Sequence, residues 1–273
     1  MQKNNESTSQ QNPTIELGGA LFDLIGKTAL ITGSSSGMGK AIAMAMGLHG
    51  AKTVVSSNEP DDIRSTIIEF KNLGINAIGI LCDMSKKYEI DNLVKETENQ
   101  FGIIDILVNC VGSAPLGGFL DINQEIFEKT MGLNLQSAIF LTKLVLPKMK
   151  AQKDGVIIYL ASIAGIRGNK NLGLYGISKA ALIEMARNLA VEFGPDNIRI
   201  NAISPGLINT PFSESLLKNE EYMYKRLSAT PLRRVGTVNE IAGIAVMLAS
   251  KAGGFITGQN IIVDGGTTIS DGN

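Results

Sequence analysis

The chain has 273 residues, of which 44% are hydrophobic and 19% are charged, and its formal net charge at pH 7 is −1. This length is enough for one domain with a large core. The near-zero charge excludes the strongly basic surface by which a protein binds nucleic acid or an anionic membrane.

Cysteine and histidine are scarce, with two residues and one residue respectively. They are too few for the usual zinc sites, so we expect no metal, and the thiols favour a reducing, cytoplasmic location. The polar residues 1–20 lack the apolar core of a signal peptide, so we expect a disordered tail and then one domain over 21–273. No apolar run reaches the roughly 18 residues of a membrane span.

Short apolar segments alternate along the chain with longer segments of helical pattern. The apolar segments predict strands at 28–32, 51–57, 76–83, 104–112, 155–162, 198–206 and 259–266. The others predict helices at 37–49, 60–73, 85–101, 123–150, 173–193 and 237–250, with short helices within 213–228. Strands that are apolar throughout are typical of a parallel sheet with helices on both faces. The sequence therefore predicts an α/β fold with a doubly wound, mostly parallel, seven-stranded sheet of Rossmann type.

Small or polar residues stand where the predicted strands end. Ligands bind at the carboxyl ends of the strands in such folds, so these residues predict one binding edge. They are Gly33, Ser56, Asp83, Asn109, Ser162 and Pro205.

The stretch TGSSSGMG, residues 32–39, follows the first predicted strand and leads into a predicted helix. Glycines lack a Cβ, so a pyrophosphate could approach the backbone and the helix N-terminus. A glycine-rich turn that only packs the helix on the strand would explain the spacing equally well, but its place in the chain favours a nucleotide. The loop lacks the Lys-Ser/Thr ending of a P-loop, which argues against nucleotide triphosphate hydrolysis. The candidate cofactor-binding residues here are Gly33, Ser35, Ser36, Gly37, Met38 and Gly39.

Two further strand ends carry candidate cofactor contacts. Asp83, followed by Met84, could accept a hydrogen bond from an adenine amino group, or it could cap the helix that begins near Ser85. Asn109, with Gly112 close behind it, could contact the cofactor or bond the neighbouring backbone.

The stretch YGISK places Tyr175 and Lys179 four residues apart, on one face of a predicted helix. An ammonium near a phenol favours the phenolate, so we expect the pKa of Tyr175 to fall from about 10 and make it a general acid/base. Ser162, at the preceding strand end, could hold a substrate oxygen, and Asn134 could hold a water beside Lys179. An isolated pair of this type is more often a surface pair, so the interpretation depends on its position in the predicted sheet.

These motifs, together with NCVG, SPGLINT and VDGG, resemble in order and spacing the short-chain dehydrogenase/reductase family over residues 22–267. The resemblance implies a nicotinamide cofactor, hydride transfer between it and a carbonyl or secondary alcohol, and a catalytic tetrad of Asn134, Ser162, Tyr175 and Lys179. It implies that Lys179 also bonds the nicotinamide ribose, beside Tyr175. It also implies cofactor contacts from Pro205, Gly206, Ile208 and Thr210.

The chain departs from the family pattern N-N-A-G at Cys110 and Val111. We expect cofactor binding to survive, because Asn109 and Gly112 remain.

The choice of nicotinamide is open. Users of NADP often carry a basic residue at the position of Ser36 or of Asn58, and users of NAD often carry Asp at the position of Ser57. Ser57 and Asn58 are therefore candidate cofactor contacts. Glu59 would repel a 2′-phosphate. The missing cations favour NAD(H) over NADP(H).

The segment 207–232 is amphipathic and would cover a small, moderately apolar carbonyl or alcohol substrate. Two alternatives stay open: a 3-oxoacyl-acyl-carrier-protein reductase, and a nucleotide-sensing binding protein that has lost turnover. The resemblance implies a homotetramer, and the apolar residues of 173–193 suit a subunit interface.

Overall fold

A computed structural model of the chain describes residues 18–271. The predicted tail over 1–20 therefore lies almost entirely outside the described residues. At its end, the segment Gly18–Phe22 forms a 3-10 helix instead of continuing a tail.

Seven strands in residues 18–271 form one sheet in the order β3-β2-β1-β4-β5-β6-β7, and every pair is parallel. The strands are β1 Thr28–Thr32, β2 Lys52–Ser57, β3 Ala77–Leu81, β4 Ile106–Asn109, β5 Gly155–Leu160, β6 Ile198–Pro205 and β7 Asn260–Val263. The strand order reverses between β1 and β4, which opens a crevice at their carboxyl ends. The predicted doubly wound sheet of Rossmann type is confirmed.

Helices cover both faces of the sheet. They are α1 Gly37–Leu48, α2 Pro60–Asn72, α3 Lys87–Phe101, α4 Gln124–Met131, α5 Ser137–Gln152, α6 Gly173–Phe193, α7 Glu214–Leu217, α8 Glu220–Ser228 and α9 Val238–Ala249. Within residues 18–271, no helix combines the length and the apolar character that crossing a membrane requires.

The core lies in two layers, one on each face of the sheet. Leu30 pairs with Val54 and Leu107 in the neighbouring strands, and all three pack under α3, α5 and α6. The next residue, Ile31, points to the other face, where it packs under α1, α2 and α9. Successive strand side chains alternate between faces, so both faces must be apolar, which explains the unbroken apolar runs in the sequence.

The structure differs from the predicted boundaries in one helix and in several strands. The helix predicted over 123–150 is divided into α4 and α5 by a π-helical segment, Gly132–Gln136. The strands predicted at 76–83, 104–112, 155–162 and 259–266 end two or three residues earlier, because the chain leaves the sheet to form the loops of the crevice.

Close packing joins α1 to the end of β1. Gly33 and Gly37 have φ angles of +62° and +54°, the left-handed region that favours glycine. A Cβ at Gly39 would press on the Gly33 carbonyl oxygen, closer than van der Waals contact allows. The loop between β1 and α1 therefore requires these glycines for its own shape.

Two helical glycines allow the same substitution to be compared. Gly39→Ala forces the backbone apart, so we expect the free energy of unfolding to fall by about 1–3 kcal/mol. Gly243, exposed on α9, has nothing within 4 Å of a Cβ. Gly243→Ala should therefore raise the free energy of unfolding by roughly 0.5–1 kcal/mol. Urea unfolding followed by circular dichroism measures both changes, and effects of the same sign would contradict the packing at Gly39.

Candidate active site

The loop between β1 and α1 forms a backbone cradle at the carboxyl edge of the sheet. Ser36 precedes α1 with an exposed side chain that makes no capping bond, and Ser35 is almost fully buried. The helix N-terminus that follows presents free N–H groups and positive dipole charge, which suits a phosphate.

Ser34, which the sequence analysis did not single out, fixes this cradle. Its hydroxyl donates to the Ile31 carbonyl at 2.6 Å and accepts from the Ser56 N–H at 3.0 Å. The Ser34 N–H donates to the Ser56 carbonyl at 2.9 Å. The buried Ser34 therefore ties the glycine loop to the end of β2.

Two buried polar atoms near the cradle have no hydrogen-bond partner among the described residues. They are Nδ2 of Asn109, a residue only 6% exposed, and Oγ of Ser56. A buried unpartnered donor is costly, and such atoms are uncommon outside binding sites. Together with the glycine cradle, they fit a dinucleotide lying along the ends of β2, β1 and β4.

The residues after β6 form the opposite wall. A Cβ at Gly37 would lie 3.7 Å from Cβ of Thr210, so the glycine loop and this wall face each other closely. A Cβ at Gly206 would lie 2.7 Å from Cα of Asp264, which explains a glycine directly after Pro205. Ile208 and Thr210 are buried, and the Ile208 carbonyl accepts a hydrogen bond from the Ser213 hydroxyl.

At the end of β2, the predicted contacts Ser57 and Asn58 lie at the rim of the crevice. The Ser57 hydroxyl accepts from the Glu59 N–H at 3.2 Å, and Asn58 is exposed.

Asp83 does not cap a helix directly. Its Oδ1 accepts from the N–H and the hydroxyl of Ser85, at 2.9 and 2.7 Å, and these bonds lower the pKa of the carboxyl. The helix α3 begins only at Lys87, so Asp83 holds the turn that precedes it. Met84 is buried beside this turn.

Lys179 is a buried cation, 4% exposed, on the sheet-facing side of α6. Its Nζ donates to the Leu160 carbonyl at 2.7 Å and lies 5.6 Å from the centroid of the Tyr175 ring. Burial lowers the pKa of Lys179 to about 8. A Cβ at Gly112 would lie 3.2 Å from this Nζ, so the ammonium occupies the space that a larger residue would fill.

Tyr175 does not have the lowered pKa that we expected from its spacing to Lys179. Burial raises the pKa of Tyr175 above 10.0, the Ser162 hydroxyl opposes that shift, and the Cys110 thiol adds to it. Burial is the largest effect on the Tyr175 hydroxyl, and the Lys179 ammonium, which lies over the ring and donates to a backbone carbonyl, does not reverse it. Tyr175 therefore keeps its proton at neutral pH, and its hydroxyl lies beside that of Ser162.

Asn134 connects three parts of the site. Its Oδ1 accepts from the Ser113 N–H at 2.7 Å, and its Nδ2 donates to the Ser113 carbonyl and to the Ser178 hydroxyl, both at 2.9 Å. The Ser178 hydroxyl donates in turn to the Tyr175 carbonyl at 2.7 Å. Both amide hydrogens of Asn134 are engaged in hydrogen bonds. A water bound by this residue would therefore have to donate to one of the oxygen atoms of Asn134.

Ser178 and Thr32 are positioning residues that the sequence analysis missed. Ser178 is fully buried between Tyr175 and Lys179, and its place inside YGISK was the available signal. The Thr32 hydroxyl accepts from the Cys110 N–H at 3.0 Å, and so ties the end of β1 to the residues after β4.

The two departures from the family pattern fit the structure. Val111 packs on the glycine loop, because a Cβ at Gly33 would lie 3.0 Å from its Cγ2. Burial raises the pKa of the Cys110 thiol to about 11, so this cysteine is a neutral packing residue next to Lys179.

Apolar side chains lie near Tyr175 and the start of α6. The ring of Phe212, in the segment before α7, lies 6.4 Å from the ring of Tyr175. On the facing side, Gly117 pairs with Leu172, and the side chain of Phe119 is 70% exposed. A Cβ at Gly173 would lie 3.8 Å from Cδ2 of Phe119, so this ring is close to the start of α6. Among residues 18–271, no group of three or more His, Cys, Asp or Glu side chains is arranged to hold a metal ion.

Known proteins resemble this chain over most of its length. Residues 33–268 match the family model described as enoyl-(acyl carrier protein) reductase. A tropinone reductase homologue of Arabidopsis thaliana is 35% identical over 250 residues, which cover 91% of this chain and 95% of that protein. Dehydrogenase/reductase SDR family member 4 of Sus scrofa is 36% identical over 245 residues, with coverage of 88% and 87%.

Solved structures agree with these relatives. A 7α-hydroxysteroid dehydrogenase in complex with NADH and 7-oxo glycochenodeoxycholic acid superposes with a TM-score of 0.88 at 36% identity, covering 92% of this chain and 97% of that one. A gluconate 5-dehydrogenase of Burkholderia cenocepacia in complex with NADP and tartrate gives a TM-score of 0.88 at 27% identity, covering 92% and 99%. The chain therefore belongs to the short-chain dehydrogenase/reductase family of oxidoreductases.

Proposed function

We propose that this protein transfers a hydride between NAD(H) or NADP(H) and a small carbonyl or secondary alcohol, with Tyr175 as the general acid/base. The observation that carries the proposal is the meeting of Tyr175, Ser162 and the buried Lys179 ammonium beside the glycine cradle. A location in the cytoplasm accords with this activity and with two unpaired thiols.

The chain's own residues suit the binding of a dinucleotide. The cradle of Gly33, Gly37 and Gly39 would hold the pyrophosphate, and the unpartnered Nδ2 of Asn109 would donate to the adenosine side. Asp83 and Met84 would border the adenine. Bound there, the nicotinamide would supply or accept the hydride.

The proton moves through the chain's own groups. In reduction, Tyr175 donates its proton to the carbonyl oxygen, while the Ser162 hydroxyl holds that oxygen in place. The charge of Lys179 then stabilises the phenolate left on Tyr175, because an ammonium lowers the cost of a nearby anion. In oxidation of an alcohol, the same groups act in reverse.

Asn134 and Ser178 act on this chemistry by positioning. Their hydrogen bonds run from the loop after β4 to the Tyr175 carbonyl, so they fix the turn of α6 that carries both Tyr175 and Lys179. A catalytic phenol must be held within a fraction of an ångström, and this buried network provides that constraint.

The cofactor is proposed to be NAD(H). Ser36, Ser57 and Asn58 offer no cation for a 2′-phosphate. In the helices that flank β2, Lys40 pairs with Glu69 at 2.6 Å and Arg64 pairs with Asp61 at 3.1 Å.

The substrate is proposed to be a moderately apolar ketone or its alcohol. The apolar rings of Phe212, near Tyr175, and of Phe119, near the start of α6, support this class, and so do the tropinone reductase homologue and the hydroxysteroid dehydrogenase among the relatives. The alternative reduction of a 3-oxoacyl group on acyl carrier protein draws support from the description of the family model. Turnover of acetoacetyl thioesters but not of simple ketones would favour it.

A homotetramer is proposed for the assembly. Ile177 and Val191 of α6 are exposed apolar residues, as is Leu144 of α5. Two long helices with outward apolar side chains suit burial against another copy of the chain.

A tyrosine substitution tests the proposed reaction. Tyr175→Phe removes the proton donor without changing the shape of the ring, so kcat should fall by about 10²–10⁴-fold while cofactor binding is retained. Absorbance of the reduced nicotinamide follows turnover over a panel of ketones and secondary alcohols, and calorimetry follows cofactor binding. Tyr88→Phe, at an exposed residue of α3, is the matched control and should keep full activity. Retained activity in Tyr175→Phe would refute the assigned role, and cofactor binding without turnover by the wild type would favour a nucleotide-sensing protein.

The cofactor preference is tested by comparing kcat/KM for NADH and NADPH. We expect a preference for NADH, because the rim beside Ser57 carries Glu59 and lacks an unpaired cation. Asn58→Arg should shift the ratio toward NADPH by about tenfold or more, since an arginine pairs well with a phosphate. Asn58→Gln serves as the uncharged control, and a clear NADPH preference of the wild type would overturn the assignment.

The buried Lys179 predicts how the free energy of unfolding depends on pH. Its pKa is about 8 in the folded chain and 10.5 ordinarily, so the unfolded chain binds more protons between these values. The cost of burying the charge is therefore full at pH 7 and declines as the pH rises through this window. We expect Lys179→Met to stabilise the fold at pH 7, with the gain shrinking towards pH 10.5, at roughly 1.4 kcal/mol for each pKa unit.

Urea unfolding at pH 7 and at pH 10 measures that gain. Lys71→Met, at an exposed lysine of α2, is the control and should show no such dependence. A gain for Lys179→Met that is equal at both pH values would mean that the buried ammonium is not its source.

A further inference from the structure

A cavity of about 100 Å³ lies between α8, the loop after it and the turn that follows β7. Its volume is enough for several water molecules or a small ligand. Its walls include the apolar side chains of Leu207, Leu227 and Leu232, together with Arg226. The proposed hydride transfer assigns no step to this cavity, which adjoins the candidate site because Ile208, an expected cofactor contact, is one of its lining residues.

The charge of Arg226 is left without a direct partner. Its Nε is buried and has no hydrogen-bond partner within residues 18–271, and no carboxylate there comes within 4 Å of the guanidinium. The nearby carboxylate of Asp264 is engaged elsewhere, because Oδ1 accepts from the Gly266 N–H at 2.9 Å and Oδ2 accepts from the Thr268 N–H at 2.7 Å. Burial accordingly lowers the pKa of Arg226, against opposing effects of Tyr222 and Asp264.

A second guanidinium adds positive charge. Arg167 lowers the pKa of Arg226, as burial does, because a like charge nearby disfavours the charged form. Its Nη1 makes one long bond, of 3.4 Å, to the Thr267 carbonyl. Arg167 lies five residues beyond Ser162, so this charge stands next to the catalytic segment.

Two further charges in the cavity lining, those of Arg234 and Glu240, pair with each other. Arg234 forms two bonds with Glu240, of 2.6 and 3.0 Å. The hydroxyls of Thr230 and Thr267 lie 3.0 Å apart and donate to the carbonyls of Arg226 and Asp264. The Asp264 carboxylate also lines the cavity. The cavity therefore combines an apolar wall with Arg226 in its lining and Arg167 nearby, two positive charges against the one remaining carboxylate, that of Asp264.

We propose that this cavity binds a small carboxylate or similar oxyanion, held by Arg226 with Arg167 at its entrance. The planar fork of an arginine matches the two oxygens of a carboxylate, and apolar surroundings strengthen the attraction. The carboxylate is either a substituent of the substrate or a free anion. The first case rests on the proposed function, because it places the acidic end of a ketone beside the candidate active site.

Calorimetric titration with succinate tests the site without any turnover. The wild type should bind succinate, and Arg226→Gln should bind it about tenfold more weakly or not at all, as loss of a charge-assisted pair predicts. Arg167→Gln, at an exposed residue that is easily replaced, should weaken binding in the same direction. Lys225→Gln removes an equal charge from the neighbouring exposed position of α8 and should leave binding unchanged. Thermal unfolding of each variant verifies that it is folded.

Turnover distinguishes the two sources of the carboxylate. A keto acid and its methyl ester are compared as substrates, with the same four proteins. If the substrate carries the carboxylate, kcat/KM for the acid relative to the ester falls about tenfold in Arg226→Gln and stays constant in Lys225→Gln. If the ratio is constant in every variant while succinate binding weakens, the ligand is a free anion.

The proposal is overturned if succinate binds the wild type, Arg226→Gln and Arg167→Gln equally, or binds none of them, and the acid-to-ester ratio is also unchanged. Failure of the proposed function would look different. In that case no carbonyl is reduced with either cofactor, and the succinate titration still reports on the cavity.

Discussion

The buried ammonium of Lys179 is the constraint around which the site is arranged. A charge removed from water costs free energy unless it is paired or hydrogen-bonded, and here the Leu160 carbonyl at the end of β5 accepts one of its bonds. Gly112 leaves room for the ammonium, and Oδ1 of Asn134 borders the same space. The end of β4, the π-helical segment and α6 therefore meet at a place where a well-packed apolar side chain would give a more stable fold.

The helical spacing of Tyr175 and Lys179 did not predict their protonation, because spacing does not show how deeply the two groups are buried. Four residues on a helix bring two side chains to one face, and that expectation is consistent with the 5.6 Å between Nζ and the ring centroid. Burial of both groups was not visible in the spacing. Burial raises the pKa of Tyr175 and lowers that of Lys179, because it penalises the charged form of each. Tyr175 therefore stays protonated at neutral pH, as the proposed donation of its proton requires.

The sequence predicted the sheet and its helices because their signals are local and periodic. Apolar runs and helical spacing repeat within 10 to 20 residues or so, and the family resemblance supplied the tetrad. The groups that hold the site in shape were not predictable in this way, because their partners are far apart in the chain. The Cys110 N–H bonds the Thr32 hydroxyl across 78 positions, and Nδ2 of Asn134 bonds the Ser178 hydroxyl across 44. The π-helical segment at Asn134 also leaves a helical pattern unbroken, so that periodicity alone predicts one long helix.

Buried polar atoms without a hydrogen-bond partner lower the stability of the folded chain. Among the described residues, three of the four are at the carboxyl edge: Oγ of Ser56, Nδ2 of Asn109 and Nε of Arg226. The fourth, Oγ1 of Thr53, lies inside β2 and has no explanation in the structure. An unpartnered buried group destabilises the folded chain until a ligand bonds to it, so binding and stability are coupled at these positions. Ser56 and Asn109 stand by the cradle, whereas Arg226 stands by a separate cavity, and one edge of the sheet therefore offers two distinct places where a ligand would recover the lost bonds.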